Sequence, residues 1–188
     1  MCVMLNEQLR DSTQPSHQAL EKKMVSVIRK IRTTQDYVRF LKLMYGYYSA
    51  LEKRVQEYLS ELEMENRRKA ERLLEDIRYF ESVDTPPLCK DLPAIRSYAE
   101  ALGALYVLEG STHGGRIIAQ MIEAQAGING PSGFSFFYGY GEENSKMWEE
   151  FKAFLNRPLD EMEKLNLILT ANRTFITFYN WIDKNAAF

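Results

Sequence analysis

An all-α fold is predicted by two observations: apolar residues recur at helical spacing along nearly the whole chain, and no long period-two alternation competes with them. A third bears on organisation. No linker composition, repeat or low-complexity tract divides residues 1–188, so a single helical domain is expected. A chain of 188 residues is long enough to bury a core without disulfides or a structural metal.

The first helix is expected over Leu5–Ile31, with Leu20, Met24, Ile28 and Ile31 on one stripe. Pro15 interrupts it and predicts a kink near Asp11–Thr13, because proline lacks the N–H and its ring crowds the preceding turn. Thr13 is then the expected cap of the longer part. The second helix starts at Thr33, whose spacing to Asp36 resembles a capping box. Its stripe is Tyr37, Phe40, Leu41, Met44, Tyr48, Leu51, Val55 and Leu59. A highly charged third helix follows over Asn66–Phe80, with Leu73, Leu74, Ile77 and Phe80 turned inward, and Asp84-Thr85-Pro86-Pro87 is a loop. The fourth segment, Pro93–Gln125, is helical in pattern but broken by glycines. A glycine-rich aromatic loop over Ala126–Glu142 is expected to pack against the body. Two helices close the chain, Ser145–Asn156 and Asp160–Lys184, separated near Pro158.

Composition excludes several classes of function. The 24 basic and 26 acidic residues leave a net charge of −2 with no basic arm, so no nucleic-acid partner is expected. Cys2 and Cys89 match no zinc or redox spacing, and a reducing, cytoplasmic compartment is the simplest one. Residues 1–10 do not read as a secretory signal, and no apolar run reaches membrane-spanning length.

The chain has two histidines. His17 precedes Leu20, Met24 and Ile28 by three, seven and eleven residues, which puts its ring on the apolar face of the first helix. That pattern fits a core histidine held by one hydrogen bond, and equally a neutral imidazole shielded for an iron centre. Arg10 lies seven residues earlier on the same face, roughly 10 Å along a straight axis. It is either solvated or placed at the rim of whatever His17 holds.

The segment from Ala101 to Ile122 holds Gly103, Gly110, Gly114 and Gly115. Each costs up to about 1 kcal/mol against alanine inside a helix. Gly103, Gly110 and Gly114 clear one stripe of side chains. The spacing serves a close helix crossing or a close approach to a flat ligand equally well.

Two stretches resemble the haem oxygenase family in its bacterial form. Leu9-Arg10-Asp11-Ser12-Thr13-Gln14-Pro15-Ser16-His17-Gln18-Ala19-Leu20-Glu21 is similar to its proximal helix. Tyr106-Val107-Leu108-Glu109-Gly110-Ser111-Thr112-His113-Gly114-Gly115 is similar to its glycine-kinked distal helix, and the last helix, including Ala171-Asn172-Arg173-Thr174-Phe175, is similar as well. The resemblance implies a haem-oxygenase-like helical bundle that opens haem oxidatively to biliverdin with release of carbon monoxide and ferrous iron. Haem is then both cofactor and substrate, with molecular oxygen and an external electron donor, a reductase or ferredoxin, as the other participants.

By the same resemblance His17 is the iron ligand, and Gly110, Ser111 and Gly114 form the catalytic distal face. Gly115 and His113 lie against the haem, and Arg10 and Lys152 meet its propionates. Ser111 stands where animal members carry aspartate. His113 occupies a position that is usually small or apolar, and is expected at the pocket edge. If it instead ligates iron, the chain is a non-cleaving haem-binding protein of storage, trafficking or sensing with bis-histidine ligation. A thiaminase-type enzyme is disfavoured because neither cysteine falls inside a helix. A helical module without a small-molecule site leaves the glycine stripe and His17 as coincidences.

Overall fold

The computed structural model describes residues 5–60, 64, 67, 69–82, 86–111, 114–128 and 132–186. Its elements are α1 (Leu5–Ile28), α2 (Thr34–Gln56), α3 (Lys69–Phe80), α4 (Tyr98–Gly110), α5 (Gly115–Ala126), the short α6 (Ser135–Tyr138), a 3-10 turn (Gly141–Glu143), α7 (Asn144–Leu155) and α8 (Glu161–Asn185). No strand occurs among the described residues.

Several ends form as local chemistry dictates. Thr33 and Asp36 make the reciprocal capping box at α2, and Asp160 with Glu163 makes another at α8. Gly127 closes α5 at φ 65°, the left-handed cap that glycine adopts without Cβ crowding. Helix α1 departs from expectation. It runs through Pro15 without ending, and Thr13 is no cap: it lies buried in mid-helix and donates to the Leu9 carbonyl at 2.8 Å. The expected Pro93–Gln125 segment holds two helices, α4 and α5, with 93–97 irregular before them and Ser111 as the C-cap of α4. Ser97 caps α4 by accepting from the Glu100 N–H.

The core lies where these helices meet. Every residue of the α2 stripe is buried, as are Leu73 and Ile77 of α3, while Leu74 and Phe80 are partly covered. The aromatic loop folds onto the body: Phe134, Phe136 and Phe137 are buried, and Phe134 stacks on Tyr37 at 4.6 Å. Asp76 anchors it by accepting the Ser135 and Phe136 N–H groups at 2.8 and 2.9 Å. Buried hydroxyl and indole donors tie helices together, Tyr47 to the Thr174 carbonyl and Trp181 to the Leu43 carbonyl, both at 2.8 Å. Helix α8 is the common backing, packed extensively against both α4 and α1.

Glycine makes the α4–α8 contact possible. A Cβ on Gly103 would lie 2.3 Å from the Leu167 carbonyl oxygen, a backbone atom that cannot step aside. Gly103→Ala is therefore expected to destabilise the protein by about 1–3 kcal/mol despite alanine's better helix propensity. Urea denaturation reads this directly; equal or greater stability in the variant would mean that the two helices do not cross this closely.

Candidate functional site

A cavity of about 660 Å³ opens between α1 and the α4–α5 junction. Helix α1 supplies one wall through His17, Leu20, Glu21, Met24, Val25 and Ile28, one face at i, i+3, i+4, i+7, i+8 and i+11. A second wall comes from Tyr106, Val107, Gly110, Ser111 and Gly114, continued by Ile117, Ile118 and Met121 of α5. Met44 and Tyr48 of α2, the α6 phenylalanines, Trp148 of α7, and Phe175 and Phe178 of α8 complete the lining. The surroundings are apolar and aromatic with few polar groups, which is the character of a site for a flat, largely apolar ligand.

His17 stands on this wall and not in the core. Its side chain is 50% exposed, with Nε2 3.3 Å from Glu21 Oε1 and the ring 5.1 Å from that of Phe175. The expectation of a ring shielded from water thus gives way to a ring presented to an open cavity. Glu21 is the residue the sequence reading left without a role, although a carboxylate four residues after a histidine shares its helix face.

The glycines divide by use. A Cβ added at Gly110 or Gly114 would meet nothing within 4 Å, so their backbone borders empty cavity. Gly115 corrects the expectation that it faces the ligand. It is buried, absent from the lining, and so close to the Phe137 carbonyl that a Cβ would sit 2.1 Å away. One residue turns a helical position by about 100°, which carries Gly115 off the face of Gly114.

Two hydroxyls serve the second wall. Ser111 donates to the Leu108 carbonyl at 2.6 Å, and the buried Tyr48 hydroxyl faces Ser111. Burial raises the Tyr48 phenol above its ordinary range, so it stays protonated. Tyr106 is likewise raised by burial, and its hydroxyl is directed to Thr13, which joins α4 to α1.

Arg10 and Lys152 do not line the cavity. Arg10 is exposed and paired with Asp11 at 3.0 Å, close enough to Tyr106 to act on it electrostatically. Lys152 pairs with Glu149 at 2.7 Å, one helical turn beyond Trp148. His113 and Thr112 lie outside the described residues, as do Cys2 and Asp84-Thr85.

Behind the second wall is a buried charge cluster that the sequence does not announce. Glu109 accepts from Arg67 at 2.7 Å and from the Tyr140 hydroxyl at 2.8 Å, with the Lys69 ammonium at 3.4 Å. Glu52, one turn after Tyr48 on α2, accepts the Lys69 and Ala70 N–H groups at the start of α3. Burial pushes Glu52 up to about 7 in spite of those donors, and burial lowers Lys69.

The Heme oxygenase family model matches residues 3–184. The chain belongs to the haem oxygenase family. As a haem oxygenase it is a haem-degrading enzyme with haem as its ligand. No curated protein sequence matches it. Among solved structures it is similar to the Neisseria meningitidis haem oxygenase (20% identity, 98% of this chain and 93% of that one, TM-score 0.82). It is similar also to that of Leptospira interrogans (19%, 97% and 100%, 0.76). A third is haem oxygenase-1 of the cyanobacterium Synechocystis in complex with haem (16%, 97% and 92%, 0.74). These likenesses establish the all-helical fold. No helix of the described residues is long and apolar enough to cross a membrane, and no cluster of metal-ligating side chains occurs among them.

The displaced titration of Glu52 has a measurable consequence. Unfolded, the carboxyl titrates near 4.5; folded, near 7. Between these values the folded state holds the extra proton, so this group's contribution to stability is lost as pH rises. Glu52→Gln is expected to gain stability relative to the parent as pH increases from 5 to 7.5 in denaturation experiments. A difference that is constant across that range would show that Glu52 titrates normally.

Proposed function

We propose that this haem oxygenase cleaves haem to biliverdin, releasing carbon monoxide and ferrous iron, and that His17 would hold the iron while Gly110, Ser111 and Gly114 would form the distal wall. The observation that carries the assignment is the joint placement of His17 and the two bare glycines, Gly110 and Gly114, on one apolar cavity. The donor set fits the group: one imidazole, apolar walls for the macrocycle, and a stretch without side chains.

Bound haem supplies the iron at which oxygen is reduced and is itself the molecule oxidised, the electrons coming from an external reductase or ferredoxin. The residues do the rest. His17 would bind the iron through one ring nitrogen, and the Glu21 carboxylate beside it would orient the ring by accepting from the other ring N–H. Gly110 and Gly114 keep the distal side free of bulk. The Ser111 and Tyr48 hydroxyls hold protonated groups at that wall in an otherwise apolar lining. Arg10 and Lys152 would meet the propionates, each exchanging its present carboxylate partner. Gly115 acts indirectly, letting α5 seat against α6. The cytoplasm is the proposed compartment.

Two variants test these roles. His17→Ala removes a half-exposed ring, so the helical far-UV spectrum should persist while haem affinity falls at least tenfold and the iron–histidine resonance Raman band disappears. An unchanged band would remove His17 as ligand. Gly110→Leu points into empty space and should leave the fold intact while reducing haem cleavage at least tenfold. Full turnover in that variant would mean the glycine does not face the reacting edge.

A further inference from the structure

On the cavity wall, Gly110 and Gly114 carry no side chain with which to fix their own place. Helix α4 ends at Gly110, and α5 starts after Gly114 with no side-chain cap. The buried charge cluster is attached beside this wall, at Glu109.

Glu109 immediately precedes Gly110 and is 1% exposed. Its carboxylate gathers Arg67, Lys69 and the Tyr140 hydroxyl. Arg67 also donates to the Met147 carbonyl at 3.2 Å, the residue before Trp148 of the cavity lining. Lys69 donates to the Leu108 carbonyl, the same oxygen that accepts the Ser111 hydroxyl. Glu52 fixes the start of α3 from which Lys69 projects. One carboxylate thereby connects the end of α4 with α3, the turn around Tyr140 and α7.

We propose that Glu109 is a positioning residue for haem cleavage, setting the place of Gly110 and Ser111 on the cavity wall through Lys69, Arg67 and Tyr140. The inference rests on the reading of that wall as the distal one. Glu109 touches no ligand, since it is absent from the cavity lining. Its effect is on geometry, where a displacement of about 1 Å far from the chemistry can cost 10²-fold in rate. Haem affinity draws mainly on His17 and the apolar walls, so binding and turnover should separate.

The test uses Glu109→Gln and Tyr140→Phe in the full chain. It reads ferric haem affinity by absorbance titration, kcat for haem cleavage, and amide hydrogen exchange in the haem-free protein. In Glu109→Gln we expect kcat at least tenfold lower, a haem Kd within threefold of the parent, and at least tenfold faster exchange at Ile117 and Ile118. Exchange at Tyr47 and Tyr48 of α2 should be unchanged. Tyr140→Phe should show the same pattern, smaller.

Parental kcat and exchange in a folded Glu109→Gln overturn the proposal. So does a joint loss of affinity, turnover and α2 protection, which marks a general structural role. Should Glu109→Gln not fold, Tyr140→Phe decides: faster exchange in α5 with unchanged Kd supports the role, and parental exchange with parental kcat refutes it. Absence of haem cleavage by the parent protein would instead contradict the functional reading, and the haem-free exchange result would still judge Glu109.

Discussion

Helix α4 lies so close to α8 at Gly103 that a single methyl group would strike the Leu167 carbonyl, and the geometry of the cavity depends on that contact. Helix α8 packs along α1 as well as α4. It therefore sets His17 on one helix and the end of the other in a fixed relation, and it lends Phe175 and Phe178 to the space between. Close-packed interiors transmit such constraints because neighbours have no free volume to absorb a shift. The span between the two walls is a property of the backing helix more than of either wall.

The glycine-rich segment joins two physical uses of one residue type. Gly103 and Gly115 give up side chains so that backbones meet, at Leu167 and at Phe137 respectively. Gly110 and Gly114 give them up so that a cavity stays open. The lost helix propensity, about 1 kcal/mol at each glycine within the helices, is offset by packing in the first pair. In the second pair, the last residue of α4 and the residue before α5, no neighbour requires the missing side chain. A local sacrifice with no structural return points to function.

Much of this was legible in the sequence where the cause is local. The α1 face, the α2 stripe and the Thr33–Asp36 capping box follow from helical period and cap chemistry, and the α1 face carries His17 onto the cavity wall. Spacing could not sort the glycines, because helix crossing and open cavity demand the same missing side chain. Gly115 was drawn toward the ligand by its neighbour Gly114. Thr13 read as a cap because Pro15 follows it, whereas its hydroxyl turns back to Leu9 and the helix continues. Tyr48 was indistinguishable from the core residues of its stripe. The charge cluster was the least legible part. Lys69 sits in a segment whose many charges suggest solvent, and its burial comes from Leu108 and Glu109, some forty residues along the chain.

The resulting picture is of an apolar slot with one ligand side, one emptied side, and a buried ionic anchor behind the emptied one. Its central claim is that the open face at Gly110 and Gly114 supports oxidation of the bound haem and not merely its storage. Single turnover of the one-to-one ferric haem complex under air, with ascorbate as reductant and catalase present to remove free peroxide, tests this most directly. The account predicts loss of the Soret band with biliverdin recovered as product; an intact, six-coordinate haem that persists through the incubation would contradict it.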